Sequence, residues 1–350
     1  MDKPLILNLK KPRDFKIFLS IKRKNKSTII DNYLLMIKEY YASFKRKNKS
    51  HLSTNIKDNI KSGLWIYYPW YNTFIHIIDR QRFYQLRVSR NKELITQQEQ
   101  NIIKKSLVGL AGLNIGNPVA LALTFQGFLN FKISDKDILE LSNLNRLAAG
   151  FRIVDLYKEK SYLTARQIYD IDPFAKIDVF QEGLGDDNLE KFLLKPRLDL
   201  LIEEMDNLQL KIKIRELAKK YCIPVIMATG NESDIILDIE RYDLNPNLKI
   251  LNGFLREDIK EKILNFKLDI KEKALLARDF IGAKFLTKRL KKSFSLLLKE
   301  KTAGIPQISE VSFLRSAVLT LVTRKIILKH KIPSGRYLIK ISDLKNFKFQ

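Results

Sequence analysis

Apolar and polar positions change their spacing three times along the chain. Up to residue 60 the pattern is loose and predicts one amphipathic helix, over residues 29–44, in an otherwise weakly organised stretch. Next, Leu64-Trp65-Ile66-Tyr67-Tyr68 is a β-branched and aromatic run stopped by Pro69, and residues 73–78 form a second such run. Together they predict a hairpin. Residues 97–105 have helical spacing behind Thr96, a favoured N-cap type.

From residue 106 the alternation becomes regular. Short apolar strands are predicted at 107–111, 129–133, 176–180, 198–202 and 224–228. A glycine-bearing turn is predicted at 112–117, and helices at 118–126, 159–169, 188–193 and 208–221. Strands alternating with helices imply right-handed crossovers and a mostly parallel sheet covered on both faces. From residue 256 the chain reads as helical and basic to about residue 301. An apolar segment (311–328) and a strand-like piece (337–341) follow.

Composition narrows the class. An apolar content of 45% excludes a disordered or collagen-like chain. No run of about 18 apolar residues occurs, so no membrane-spanning helix is expected. Asn8 and Lys10-Lys11 interrupt the N-terminal apolar residues too early for a signal peptide, which makes a cytoplasmic protein the expectation. A single cysteine, Cys222, excludes an internal disulfide and a multi-cysteine zinc site. Its place between Tyr221 and Ile223-Pro224 reads as a buried structural position. The histidines at 51, 76 and 330 are scattered and suggest no metal or nucleophile system.

Charge adds a question. The formal net charge is +25, and residues 1–60 hold 15 Lys+Arg against 5 Asp+Glu, mainly in the runs at 22–26 and 45–49. Clustered cations can bind a polyanion by counterion release. Nucleic-acid readers usually add arginine forks or interleaved aromatics, however, and the aromatics here lie apart at 65–71. The runs read as a solvated, lysine-heavy surface, with nucleic acid kept as an alternative partner. The aromatic cluster reads as packing, with a peptide groove as the alternative.

The candidate chemistry starts at Gly112-Leu113-Asn114-Ile115-Gly116-Asn117, between a predicted strand and a predicted helix. Glycines there let backbone approach a phosphate, and a helix N-terminus offers free N–H groups and a favourable dipole. Asp135 follows 23 residues after Gly112, at the end of the second strand, where nucleotide folds place an acid on ribose hydroxyls. The alternative is an ordinary crossover whose glycines serve helix–strand packing.

The following residues, Asp135-Lys136-Asp137-Ile138-Leu139-Glu140-Leu141-Ser142-Asn143-Leu144-Asn145-Arg146, carry a resemblance. The run resembles the D-x-D…L-S-N-L-x-R stretch of the ThiF/MoeB family, adenylating enzymes with a ubiquitin-activating-type fold. Lys160, then Ile171-Asp172-Pro173-Phe174-Ala175, then Met205-Asp206-Asn207 follow in the family's order. Trp65-Ile66-Tyr67-Tyr68-Pro69-Trp70, Arg90-Asn91, Gln98-Glu99-Gln100, the 238–243 segment Asp-Ile-Glu-Arg-Tyr-Asp, Pro306-Gln307 and Ser334-Gly335-Arg336 are similar to a bacterial subgroup sometimes fused to a nitroreductase-like domain.

The resemblance implies an α/β fold: a Rossmann-like, ThiF-type, mostly parallel sheet with helices on both faces. It divides the chain into a basic N-terminal extension (1–63), an aromatic hairpin with a lead-in helix (64–105), a nucleotide-binding core (106–255) and a C-terminal helical and strand segment (256–350). It implies ATP and Mg²⁺ as cofactors and a homodimer. Gly112, Asn114 and Gly116 would form the phosphate turn and Asp135 would hold the ribose, with Asp137 beside it. Asn143, Arg146 and Lys160 would contact the triphosphate, and Asp206 would hold Mg²⁺. A second subunit would lend an arginine, with Arg90 the first candidate and Arg87 the second. Each residue has a plainer alternative: an Arg146–Asp137 surface pair, Lys158 in place of Lys160, and Asp206 as the N-cap of the helix that follows.

The sequence departs from the family in two places. The glycine turn is one residue short, and Asn114 stands near a usual glycine; Asn tolerates left-handed backbone better than most residues. No second cysteine is present to ligate zinc, and nothing marks Cys222 as an activated thiolate. The expected activity is therefore adenylation of a carboxylate, on a peptide, small protein or small molecule, without an internal cysteine thioester, as in the microcin-maturing relatives. The alternatives are a non-catalytic nucleotide-binding scaffold of the same fold and an NAD(H)-binding oxidoreductase.

Overall fold

The computed structural model describes residues 2–44, 60–146, 150–265, 269–299 and 305–342. The chain divides into two compact units. The first comprises residues 1–101, 124–127 and 166–175, and the second comprises the rest.

The first unit contains β1 (Leu5–Leu7), α1 (Pro12–Asn25), β2 (Thr28–Asp31), α2 (Tyr33–Phe44), β3 (Leu64–Tyr68), β4 (Thr73–Ile77), α3 (Arg80–Arg87) and the start of α4 (Gln97–Lys105). The strands form one sheet in the order β1-β3-β4-β2. β3 and β4 are the expected antiparallel hairpin, and alternation along β3 splits its aromatic run between two faces. Trp65 and Tyr67 pack with Leu7, Leu9, Phe18 and Phe74, whereas Ile66 and Tyr68 pack with Ile77 and Phe174. Residues 65–68 of the aromatic cluster therefore serve packing, while Trp70 and exposed Tyr71 donate hydrogen bonds to Asp170.

The expectation of a loosely organised N-terminus is corrected. β1 pairs with β3, and β2 pairs in parallel with β4. Ile29 and Ile30, read as helical, lie in β2, because the pairing partner that extends them is more than 40 residues away. The 22–26 run closes α1, and the 45–49 run lies outside the described residues. His76 is fully buried between the rings of Tyr33 and Trp65, with Asp31 Oδ1 at 3.0 Å and the Ser62 carbonyl at 2.6 Å.

Two subgroup motifs meet inside this unit. Asn91 Nδ2 donates to Gln100 Oε1, at 3.0 Å, and to the Gln126 carbonyl. Gln100 Nε2 donates to the same carbonyl and to the Tyr84 hydroxyl. A Cβ on Gly127, at φ +105°, would lie 2.3 Å from Gln100 Nε2.

The second unit holds β5 (Leu107–Ala111), α5 (Leu113–Gln126), β6 (Asn130–Ser134), α6 (Lys160–Ile171), β7 (Lys176–Phe180), α7 (Leu189–Leu194), β8 (Leu200–Glu203), α8 (Leu208–Lys220) and β9 (Val225–Asn231). β10 (Asp234–Glu240), α9 (Glu257–Asn265), α10 (Ile270–Ile281), α11 (Lys288–Leu298), α12 (Ser309–Ile327) and β11 (Gly335–Ile339) complete it. The last residues of α5 and α6 belong to the first unit. The seven strands run β11-β10-β9-β8-β5-β6-β7. β9 through β7 are parallel, and β10 and β11 are antiparallel additions. This is the expected mostly parallel α/β fold.

Two readings change here. The predicted turn at 112–117 shrinks to Gly112, because α5 begins at Leu113 and carries Asn114, Gly116 and Pro118 within it. The helix predicted from Pro118 therefore starts five residues earlier, and Pro118 lies inside it. β10 had no strand expectation, since its seven residues include Asp234, Asp238 and Glu240, yet all seven are buried.

Asp238 and Glu240 of β10 are ion-paired, and Asp234 accepts from the Ile341 and Ser342 N–H groups. Asp238 faces Arg336 across the β10–β11 ladder and accepts two guanidinium hydrogen bonds, at 2.7 and 3.0 Å. Glu240 accepts from Arg215 Nε at 2.8 Å, from Tyr242 Oη and from the Leu251 N–H. Arg215 also pairs with Glu203 of β8, which Lys211 joins at 3.0 Å. The 238–243 and 334–336 motifs thus tie the antiparallel edge together, with Ser334 Oγ accepting from the Arg241 N–H.

Candidate functional site

Strand order reverses around β5: β6 and β7 lie on one side, β8 and β9 on the other. In open α/β sheets a crevice forms at such a switch point, outside the carboxyl ends of the strands. A cleft of about 260 Å³ opens there, lined by Gly112 and Asn114 after β5, Asp135 and Asp137 after β6, and Glu204 and Asp206 after β8. Gly112 has φ +92°, and a Cβ on it would lie 2.5 Å from the Glu204 carbonyl. Glycine is required at that crossing for close approach as well as for conformation.

Asp135 sits one residue past β6 and faces the start of α5. Its Oδ2 accepts the Leu113 N–H at 2.6 Å and its Oδ1 accepts the Asp137 N–H at 2.8 Å. Burial pushes its pKa up, against the pull of these N–H groups and of Lys160. Each oxygen keeps a lone pair for a hydroxyl. Asn114 lines the same cleft, and its side-chain oxygen is buried without a partner among the described residues, an acceptor position that a buried site ordinarily satisfies.

Lys160 opens α6, and its buried side chain reaches Asp137 Oδ2 at 3.4 Å. Lys158 points elsewhere, to the Val154 carbonyl. Asn143 is buried in a single 3₁₀ turn and accepts the Glu140 N–H at 3.1 Å. It lines neither cleft described here. Gly116 lies in α5 and likewise lines neither.

Arg146 is half-buried. Its Nη1 donates to the Ser142 carbonyl and to Asn145 Oδ1, and its Nε is buried without a partner among the described residues. Desolvation lowers its pKa, while Asp206 and Glu140 oppose that shift. The Arg146–Asp137 pair considered from sequence does not form; Asp137 takes Lys160 instead. Asp206 is exposed and does not cap α8. Asn207 does, its Oδ1 accepting the Leu210 N–H.

A second cleft, of about 450 Å³, shares Glu204, Met205 and Asp206 with the first and adds Arg146. Its other walls come from β9, from α10 and α11, and from α12 with the 305–308 segment before it. Glu204 is buried between the two clefts, accepting the Ala228 N–H at 2.8 Å and a hydrogen bond from Arg315. Burial pushes its pKa up despite Arg315. Glu204 and Arg315 were not singled out from sequence. They lie 111 residues apart, and no local pattern links them. Pro306-Gln307 also line this cleft, and the Gln307 carbonyl accepts from Asn145 Nδ2.

Arg90 and Arg87 belong to the first unit. Arg90 is exposed on a short 3₁₀ turn. Arg87 is committed to buried Asp172, at 3.0 Å, and to the Thr124 carbonyl. Cys222 lines neither cleft; it is half-buried rather than buried, at φ +51° in the turn before β9. Among the described residues no group of three or more His, Cys, Asp or Glu gathers to hold a metal, and no helix is long and apolar enough to cross a membrane.

Known proteins share part of this sequence and its fold. The profile of the ThiF family matches residues 88–235. The chain is 31% identical over 280 residues, 79% of its length, to the uncharacterized protein MT1398 of Mycobacterium tuberculosis (strain CDC 1551 / Oshkosh), of which it covers 38%. It is 27% identical over 124 residues, 35% of its length, to the sulfur carrier protein ThiS adenylyltransferase of Escherichia coli (strain K12), of which it covers 47%. The chain thus spans less than half of either relative. The crystal structure of PaaA superposes with a TM-score of 0.53 at 22% identity, covering 75% of this chain and 79% of that one, which shows a shared fold. The residues that line the crevice after β5, β6 and β8 all lie within the matched stretch, and residues 88–235 are accordingly similar to a domain of the ThiF family.

Proposed function

We propose that this chain adenylates a carboxylate with ATP and Mg²⁺, and passes the product on without an internal cysteine thioester. The observation that carries the reading is the junction of two clefts at Glu204, Met205 and Asp206. One cleft has the equipment for a nucleotide, and the other approaches the same acidic corner from the opposite walls.

Asp135 offers its remaining lone pairs to ribose hydroxyls, and the N-terminus of α5 faces the phosphates with its dipole. The unpartnered Asn114 oxygen can accept from a bound nucleotide. Arg146, which bonds no carboxylate among the described residues, and Lys160 beside Asp137 supply positive charge. Asp206, an exposed carboxylate at the junction, is the group to hold Mg²⁺; one protein carboxylate plus phosphate oxygens is a usual Mg²⁺ set, and the ion would neutralise phosphate charge. A carboxylate oxygen forms the bond to the α-phosphorus, the bond to the β-phosphate's bridging oxygen breaks, and pyrophosphate leaves. Most of the protein's contribution is positioning and charge. The placement of Cys222 outside both clefts supports transfer to another nucleophile. Exposed Arg90 is the side chain we assign to a second copy's nucleotide in a homodimer.

One observation favours a scaffold without chemistry: Asn143 and Lys160 already have partners within the chain. ATP–pyrophosphate exchange over a panel of carboxylates separates the readings. Exchange is expected, and Asp206→Ala or Arg146→Ala should lower it by about 10²-fold or more while the fold persists. Nucleotide binding without exchange for any carboxylate would support the scaffold, and preference for NADH over ATP would overturn both.

A further inference from the structure

The second cleft has one wall of uniform character. Its contributions from α10 and α11 are Ala277, Phe280, Ile281, Leu290 and Phe294, all apolar. The opposite wall is α12, which lies close on β9 because position 230 is glycine; a Cβ there would stand 3.1 Å from Val311 Cγ1. That close approach sets Arg315 beside Glu204. The end shared with the nucleotide cleft is polar, and there Arg146 and Arg315 each keep a buried guanidinium Nε–H without a partner among the described residues. Lys211, the third cation of the cleft, is bound to Glu203.

An anionic head against two unsatisfied guanidinium donors, continuous with an apolar pocket, is the complement of an amphiphilic acid. Its volume, about 450 Å³, is that of a small-molecule site. We propose that the carboxylate taken by this protein carries a large apolar group, aromatic or branched aliphatic, which fills the cleft between α10, α11 and α12 while the carboxylate lies at the Arg146–Arg315 end. A carboxylate borne on glycine would leave the apolar wall uncovered. The inference rests on the adenylation reading for its chemistry, but occupancy of the cleft can be measured without it.

The test uses the full chain with Mg²⁺ and a non-hydrolysable ATP analogue. Three probes are titrated calorimetrically: 3-phenylpropionate, a pentapeptide ending in Phe, and the same peptide ending in Gly-Gly. Pyrophosphate exchange is then measured with each probe and ATP. At least one apolar acid should bind about tenfold or more tightly than the Gly-Gly peptide, the scale set by a filled against an empty apolar pocket. Preference for the free acid alone identifies a small molecule, and preference for the Phe-ended peptide alone identifies a peptide terminus. Ala277→Phe, which fills the cleft, should remove the preference. Phe294→Ala, which enlarges it, should move the preference toward a naphthyl analogue. Nucleotide titration of both variants reports that each is folded.

Equal or tighter binding of the Gly-Gly peptide, no binding of any probe, or a preference that survives Ala277→Phe overturns the proposal. An apolar preference without exchange leaves the cleft assignment standing and removes adenylation. Exchange with the Gly-Gly peptide and no apolar preference does the reverse.

Discussion

The two clefts share three residues and were built in different ways. The smaller one is assembled from the first residues after three parallel strands, each a short sequence step from a motif: Gly112 after β5, Asp135 after β6, Asp206 after β8. The larger one depends on α10, α11 and α12, on the close crossing at Gly230, and on an ion pair between residues 111 positions apart. Backbone geometry fixes the first, because strand ends deliver whatever residue follows them. Packing and charge pairing fix the second. The crevice proposed for a nucleotide thus needs only the strand ends in place, whereas the neighbouring cleft needs α10, α11 and α12 held beside β9.

The sharpest way to break that difference is at Arg215. It is fully buried and ties Glu203 of β8 to Glu240 of β10, so it joins the parallel and antiparallel parts of the sheet. Arg215→Ala leaves two buried carboxylates short of their partner and should destabilise the protein by about 3–5 kcal/mol in chemical denaturation. A loss below about 1 kcal/mol would mean that the edge is held by its apolar contacts alone. Gly112→Ala attacks the other cleft. The φ of +92° costs a side chain about 1–3 kcal/mol, and the Glu204 carbonyl must also move. Stability and nucleotide affinity should fall together, and unchanged affinity would remove the crevice from nucleotide binding.

Adjacent glutamates sharpen the comparison by pH. For Glu203, burial alone would raise the pKa, but Lys211 and Arg215 outweigh it and the net shift is downward. Its stabilising contribution is present above the ordinary value of 4.5 and is lost as pH falls through the lowered one. For Glu204 burial wins over Arg315 and the pKa rises. The folded state then holds the proton more tightly, so stability falls as pH climbs from 4.5 through the raised value. Glu204→Gln should cancel that slope. Its stability relative to the parent should grow with pH over this window in urea melts at a series of pH values. A flat difference would show that Arg315 fully compensates the carboxylate.

What could be read from sequence follows the same division. β5 to β9 were legible to within two or three residues: β5, β8 and β9 carry the continuous apolar runs of buried parallel strands, and β6 and β7 alternate apolar with polar residues. Gly112 and Asp135 were legible because their partners are near in sequence or are backbone groups. β10 was not, since Asp238 and Glu240 look like surface until Arg336 and Arg215 are found beside them. The β2–β4 pairing was hidden for a related reason: Thr28 meets Thr73 only after the intervening helix has folded back. Glu204 and Arg315 are unremarkable residues whose meaning is entirely spatial.

The smallest predicted effect tests a single neighbouring pair. Aspartate and asparagine are both good N-caps, so the sequence Asp206-Asn207 left open which of them starts α8. The geometry gives the cap to Asn207, whose Oδ1 accepts the Leu210 N–H at 3.1 Å, and leaves Asp206 exposed at the junction of the clefts. Asn207→Ala should therefore lower stability by about 1 kcal/mol. Asp206→Ala should change stability by less than about 0.5 kcal/mol, as an exposed side chain without a capping role does. Activity should divide the opposite way, with exchange lost in the Asp206 variant and largely kept in the Asn207 variant. If both positions cost stability and neither alters exchange or Mg²⁺-dependent nucleotide binding, Asp206 is a second capping residue, and the acidic corner joining the two clefts has no chemical role.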